Sequence, residues 1–199
     1  MGDLSFKGLM ECKWYKQKKG ERKGMKYDPS YTFVTSDYHF RDWTHFGGVL
    51  AESTKEEEEQ HIELWNSVVG KDDLVLYIGD FCDGGVGDLE ELSKKLNGRK
   101  ILIKGNHDHI DDEWYRCAFE DVVSEMRIHE LNLRLIHIKE AAKDLQPGER
   151  IIHGHEHRYR LMSDRPATTR DSICVCAKWH GWKPITLVEA IRQMDAVQG

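Results

Sequence analysis

The chain has 199 residues, 39% of them hydrophobic and 32% charged, with a net charge of −6, a composition ordinary for one globular domain with a sizeable core. No apolar run reaches the roughly 18 residues of a membrane span, and no charged-then-apolar leader opens the sequence. Membrane and secreted classes are therefore set aside, and a cytoplasmic protein is expected.

Charge divides the chain. Residues 1–27 carry +5 and the remainder −11, so residues 1–30 are read as a basic arm or hairpin and residues 31–199 as a single domain. Within the arm, Lys13 to Lys23 interleaves cations with Trp14 and Tyr15, as a nucleotide or nucleic-acid contact would; a solvated hairpin packed beside a sheet is the plainer alternative.

Tyr31-Thr32-Phe33-Val34-Thr35 then reads as a strand. Thr54-Lys55-Glu56-Glu57 has the spacing of a capping box, which makes the acidic run Glu56 to Glu59 a solvated first turn of a helix, where the dipole favours anions. Ile62, Trp65, Val68 and Val69 continue at helical spacing, and Gly70 ends the run before a strand at Leu74 to Ile78. Asp88 is placed to cap a helix carrying Leu89, Leu92 and Leu96, closed by Asn97-Gly98 ahead of a strand at Ile101 to Ile103. Asp111 or Asp112 starts a short helix through Ala118; the part after Met126 is richer in short strands, including Leu133 to Ile136 and Ile151-Ile152, and a last helix runs from Leu187 to about Met194.

After these apolar runs stand five short clusters of metal-ligand residues: Asp37-Tyr38-His39, Gly79-Asp80, Gly105-Asn106-His107-Asp108, His137 and Gly154-His155-Glu156-His157. Ligands at strand C-terminal ends match the place where open α/β sheets put their sites. Two carboxylates, one amide and four imidazoles would furnish two metal ions sharing one carboxylate, an arrangement suited to displacement at phosphorus. A mixed shell of imidazole and oxygen accepts several metals; two divalent ions are expected, manganese first, with iron, zinc, nickel or magnesium as alternatives.

The ordered pattern D-x-H, G-D, G-N-H-[DE], H, G-H-x-H resembles that of the calcineurin-like metallophosphoesterases, and in particular their small bacterial and phage-type members. The resemblance runs from about Tyr31 to Ile191. It implies an α/β fold of four layers, with two central mixed β-sheets flanked by helices, and a hydrolase acting on a phosphate-ester substrate through a metal-activated hydroxide. Asp37, His39, Asp80 and His157 would hold one metal, and Asp80, Asn106, His137 and His155 the other. His107 would protonate the leaving oxygen, with Asp108 orienting it. Arg41, His45 and His109 are candidate substrate contacts, although an ion-paired role suits Arg41 equally.

Departures from the pattern narrow the activity. Gly84 stands where serine/threonine protein phosphatases keep a phosphate-gripping arginine, which tilts the expectation toward phosphodiester or nucleotide substrates. A phosphomonoesterase acting on a small metabolite is the alternative within the enzyme class, and a non-catalytic interaction scaffold the one outside it. Asp83 reads as a turn residue, and His153 as a structural histidine pointing away from His155. Cys174 and Lys178 replace the asparagine and acid usual in the tail of the small members. The odd set Cys12, Cys82, Cys117, Cys174 and Cys176 is expected to be reduced, and the pair Cys174 and Cys176 to be buried apolar cysteines rather than zinc ligands.

Overall fold

Successive side chains of a strand point to opposite faces, and the near-continuous apolar runs Thr32–Thr35 and Leu74–Tyr77 therefore bury both of theirs. The computed structural model describes residues 27–42, 54–157 and 168–197. Within it, β1 (Thr32–Thr35), β2 (Leu74–Tyr77), β3 (Arg99–Ile103), β4 (Asp121–Val123) and β9 (Ile185–Thr186) form a sheet in the order β4-β3-β2-β1-β9, parallel except for β9. The strands β5 (Glu125–Ile128), β6 (Leu133–Ile136), β7 (Arg150–His153) and β8 (Ser172–Cys174) form the second sheet in that order, with only β5 antiparallel. Two mixed sheets with helices make this an α/β fold.

Phe33, Val75, Tyr77 and Leu102 meet the helices α1 (Lys55–Asn66), α2 (Val86–Lys95) and α3 (Asp112–Tyr115) through Ile62, Trp65, Leu89, Leu92 and Tyr115. From the other face of the same strands, Val34, Leu76, Ile78, Ile101 and Ile103 meet Leu133, Leu135, Ile152 and Ile173 of the second sheet. The helix α4 (Leu187–Asp195) adds Leu187, Ala190, Ile191 and Met194 to this inter-sheet core. Tyr27 joins it too, and Val188 N–H donates to the Pro29 carbonyl at 3.2 Å, so Tyr27 to Ser30 pack onto the domain although they fall within the expected arm. The arm before Tyr27 lies outside the described residues.

Local signals account for the helix starts. Thr54 caps α1 through Glu57 N–H, and Glu57 returns a bond to Thr54 N–H at 2.7 Å. The helix closes at Asn66, before Val68 and Val69. Asp88 is not the N-cap of α2: Gly85 is, and Asp88 sits in the first turn with its carboxylate on Gly85 N–H at 2.9 Å. Contrary to the expectation from its sequence, the acidic run of α1 is not solvated throughout. Glu58 is buried, because Arg41 reaches it with a 3.0 Å ion pair and a 2.9 Å backbone bond. Among the described residues no helix is long and apolar enough to cross a membrane.

Candidate metal centre

The segment after β1 continues beside the segment after β2 as though the parallel pairing had not ended. Asp37, His39 and Phe40 donate their N–H groups to the carbonyls of Gly79, Asp80 and Phe81 at 3.0, 3.2 and 2.9 Å. Tyr38 and Phe40 are stacked at 4.9 Å within the aromatic core. Their burial anchors the segment and leaves the alternate residues Asp37 and His39 to meet Asp80. Tyr77 ties the two segments further, accepting from Tyr38 N–H at 2.9 Å and donating to the Asp80 carbonyl at 3.3 Å.

Backbone strain concentrates here. Asp37, His39, Arg41, Asp80 and His155 all have positive φ, between 46° and 70°. Such a conformation costs a non-glycine residue about 1–2 kcal/mol and clusters where a site over-determines the backbone. Gly105 and Gly154 serve close approach instead: a Cβ on Gly154 would stand 2.6 Å from Asp37 Oδ2, and one on Gly105 would strike Asp80 Oδ1.

Ligand atoms of Asp37, His39, Asp80 and His157 lie within 4.8 Å of one another, as do those of Asp80, His137 and His155. Asp80 belongs to both groups. Asn106 Oδ1 stands 3.1 Å from His137 Nε2, so the amide joins the second group. All seven residues expected as ligands are thus brought together, and these His and Asp groups, buried except for the half-buried His155 and His157, can bind metal ions.

The donor set fits that role at the level of protons. His39 Nδ1 donates to Asp83 Oδ2 and His137 Nδ1 to the Ile78 carbonyl, each at 2.8 Å. In the neutral rings both Nε2 lone pairs then face inward, as histidine ligands require. Asp80 Oδ1 accepts from His107 N–H at 2.8 Å. Its buried Oδ2 makes no directed hydrogen bond, although His137 Nε2 and His39 Nε2 stand 3.2 and 3.6 Å away. Burial disfavours charge on His39, but Asp83, Asp80 and Asp37 outweigh it and raise its pKa to about 9. Burial likewise opposes and Asp80 and Asp37 raise His137, also to about 9, whereas burial lifts Asp80 and the two imidazoles bring it down to about 2. The centre holds a surplus of negative charge that protons meet here and divalent cations would meet by displacing them.

Around this set two residues depart from their expected roles, and Arg41 takes one of the two expected for it. Asp108 does not orient His107. It accepts backbone N–H groups of Asp80, Phe81 and Gly105 at 2.8, 3.1 and 2.8 Å, which fixes the loops. The carboxylate beside His107 is Asp83, with Oδ1 3.4 Å from His107 Nδ1, so Asp83 is more than a turn residue; its spacing from Asp80 was the available signal. Arg41 is committed to Glu58, Asp88 and Glu91 at 3.0, 3.2 and 2.9 Å, and is thereby drawn away from a substrate-contact role. His109 is exposed with its ring 6.0 Å from that of His107, and His45 lies outside the described residues. His153 is buried against the Gly154 carbonyl at 3.0 Å, as a structural histidine. The described cysteines are free, with Cys82, Cys174 and Cys176 buried and Cys117 exposed.

No family model matches the chain. The uncharacterized protein MJ1445 of Methanocaldococcus jannaschii is 31% identical over 133 residues, covering 63% of this chain and 68% of that protein. The gene 66 proteins of Mycobacterium phages D29 and L5 are 37% identical over 91 residues and 42% identical over 62, and the chain spans 41% and 30% of their lengths. Among solved structures, the protein of unknown function AQ665 from Aquifex aeolicus has a TM-score of 0.58 at 23% identity, over 79% of this chain and 96% of that one. That likeness shows a common fold.

Proposed function

This chain belongs to the family of the Methanocaldococcus jannaschii protein MJ1445, and for it we propose a dinuclear metal-dependent phosphoesterase that hydrolyses phosphate esters, phosphodiesters or nucleotides before monoesters. What carries the reading is Asp80, the one carboxylate common to both ligand groups, whose buried Oδ2 makes no directed hydrogen bond. Divalent cations, manganese first, would supply Lewis acidity and a deprotonated water near neutral pH. Asp37, His39, Asp80 and His157 would hold one, and Asp80, Asn106, His137 and His155 the other.

His107 has the duty of a general acid. Its backbone is fixed by the bond to Asp80 Oδ1 and its Nδ1 faces Asp83, which leaves Nε2 to give a proton to the departing oxygen. Asp83 orients that ring and the His39 ring together. The proposal includes the four-layer calcineurin-like sandwich, supported by helices on the outer face of the five-stranded sheet and by the inter-sheet core. It also includes a nucleotide or nucleic-acid contact by the basic arm, supported by that arm's charge of +5.

Turnover of bis-p-nitrophenyl phosphate, p-nitrophenyl phosphate and nucleotide esters with added manganese tests the reading. Manganese-dependent hydrolysis, abolished by chelation and fastest on diesters, is expected. Preference for monoesters would favour the phosphatase alternative, and no hydrolysis of any ester would reject the enzyme.

A further inference from the structure

Beyond β8 the chain turns toward the metal centre. Cys176 pairs with Ser36 in an isolated parallel bridge, and Ala177 N–H donates to the Ser36 carbonyl at 2.9 Å. This register puts Cys176 Sγ 3.0 Å from Asp37 Oδ2 and Cys174 Sγ 3.2 Å from Cys176 Sγ. Both thiols are buried. Behind them, His180 Nε2 donates to the Cys174 carbonyl at 2.9 Å.

The two oxygens of Asp37 have different surroundings. His155 N–H lies 3.2 and 3.1 Å from Oδ1 and Oδ2, so it does not choose between them. Oδ2 is confined by the thiol and by the bare Cα of Gly154. Oδ1 stands 3.6 Å from His157 Nε2, among the ligand atoms. A carboxylate turns easily about its last bond. A donor on one oxygen therefore fixes the plane of the carboxylate, and with it the direction in which the other oxygen meets the cation.

We propose that Cys176, backed by Cys174, is a positioning residue of the metal centre, its Sγ–H holding Asp37 Oδ2 so that Oδ1 is presented to the cation shared with His39, Asp80 and His157. The proposal rests on the metal-dependent reading above and deepens it. A thiol is a weak donor in ordinary surroundings, yet it suits this place: it is bulky enough to fill an apolar strand end and polar enough to satisfy a buried carboxylate oxygen. The spacing Cys174-Val175-Cys176 leaves the sulfurs side by side, and Cys174 in turn keeps the Cys176 thiol directed at Asp37.

Calorimetric titration of the full chain with manganese decides it, comparing wild type with Cys176→Ala and Cys176→Ser and checking each fold by circular dichroism. The alanine variant should lose about tenfold in affinity at one of two binding steps, the usual scale for a partner behind a ligand, while serine stays within about threefold of wild type. Should Cys176→Ala not fold, Cys176→Val refills the volume without a donor and carries the same expectation. Wild-type affinity in the alanine or valine variant, equal weakening by alanine and serine, or weakening of both steps together would each overturn the positioning role and leave the metal reading standing. Wild type taking up no divalent ion would overturn the metal reading and this inference with it.

Discussion

Asp83 Oδ2 accepts from His39 Nδ1 at 2.8 Å, and this one bond sets which nitrogen of His39 faces Asp80. Removing it with Asp83→Ala frees the ring to take the other tautomer and to turn. Affinity for the first divalent ion should fall by about 10- to 100-fold, measured by competition with a chromogenic chelator, with the secondary structure unchanged. Unaltered affinity would mean that packing alone orients His39.

Asp80→Asn should weaken both ions at once, because the same carboxylate borders both ligand groups. Metal analysis after dialysis should find the variant depleted of both, whereas His155→Ala should deplete one. Independent loss of a single ion from Asp80→Asn would refute a shared ligand.

His107→Asn should keep both ions and slow turnover by about 10²- to 10⁴-fold, the range of general acid catalysis. The loss should follow the leaving group. p-Nitrophenolate departs without a proton and should be little affected, while a ribose alkoxide should suffer most. Equal losses on both would assign His107 to positioning phosphate.

His61 lies flat on Trp182, with ring centroids 3.7 Å apart and an interplanar angle of 15°. Burial lowers its pKa to about 4 from 6.5, with Glu57 opposing only in part. The folded state therefore favours the neutral ring. Its contribution to stability is complete above pH 6.5 and is lost as pH falls through 4, on the order of 2–3 kcal/mol across that window. His61→Phe keeps the stack without the titration, so its denaturant midpoint should fall less than that of wild type between pH 7 and 4. Parallel curves would remove His61 from the acid response.

Arg41 joins the ligand-bearing segment to α1 and α2 through Glu58, Asp88 and Glu91. Arg41→Ala strands the buried Glu58 carboxylate, which burial already pushes above the ordinary glutamate range. A loss of about 3 kcal/mol in unfolding free energy is expected, partly recovered by adding Glu58→Gln. Under the proposed activity the Michaelis constant of the folded variant should stay near that of wild type; a large rise without loss of stability would return Arg41 to the substrate.

Elements whose cause is local were legible in the residues themselves. The Thr54–Glu57 capping box, the apolar strands ahead of each ligand, and the close of α2 shortly before Asn97-Gly98 depend on neighbours a few positions apart. The seven ligand-type residues were legible for the same reason, since each of their five clusters follows a strand. Their partners were not. Asp83 on His39, Glu58 under Arg41 and Cys176 on Asp37 lie 44, 17 and 139 residues apart along the chain. In sequence Asp83 is a turn residue, Glu58 part of a solvated acidic run and Cys176 an apolar filler. Only the parallel register of the segments after β1 and β2, and the return of the chain after β8, make them orienting and buried groups. A hydrogen bond across strands leaves no periodic trace in the residues that form it, whereas a strand or a helix cap does.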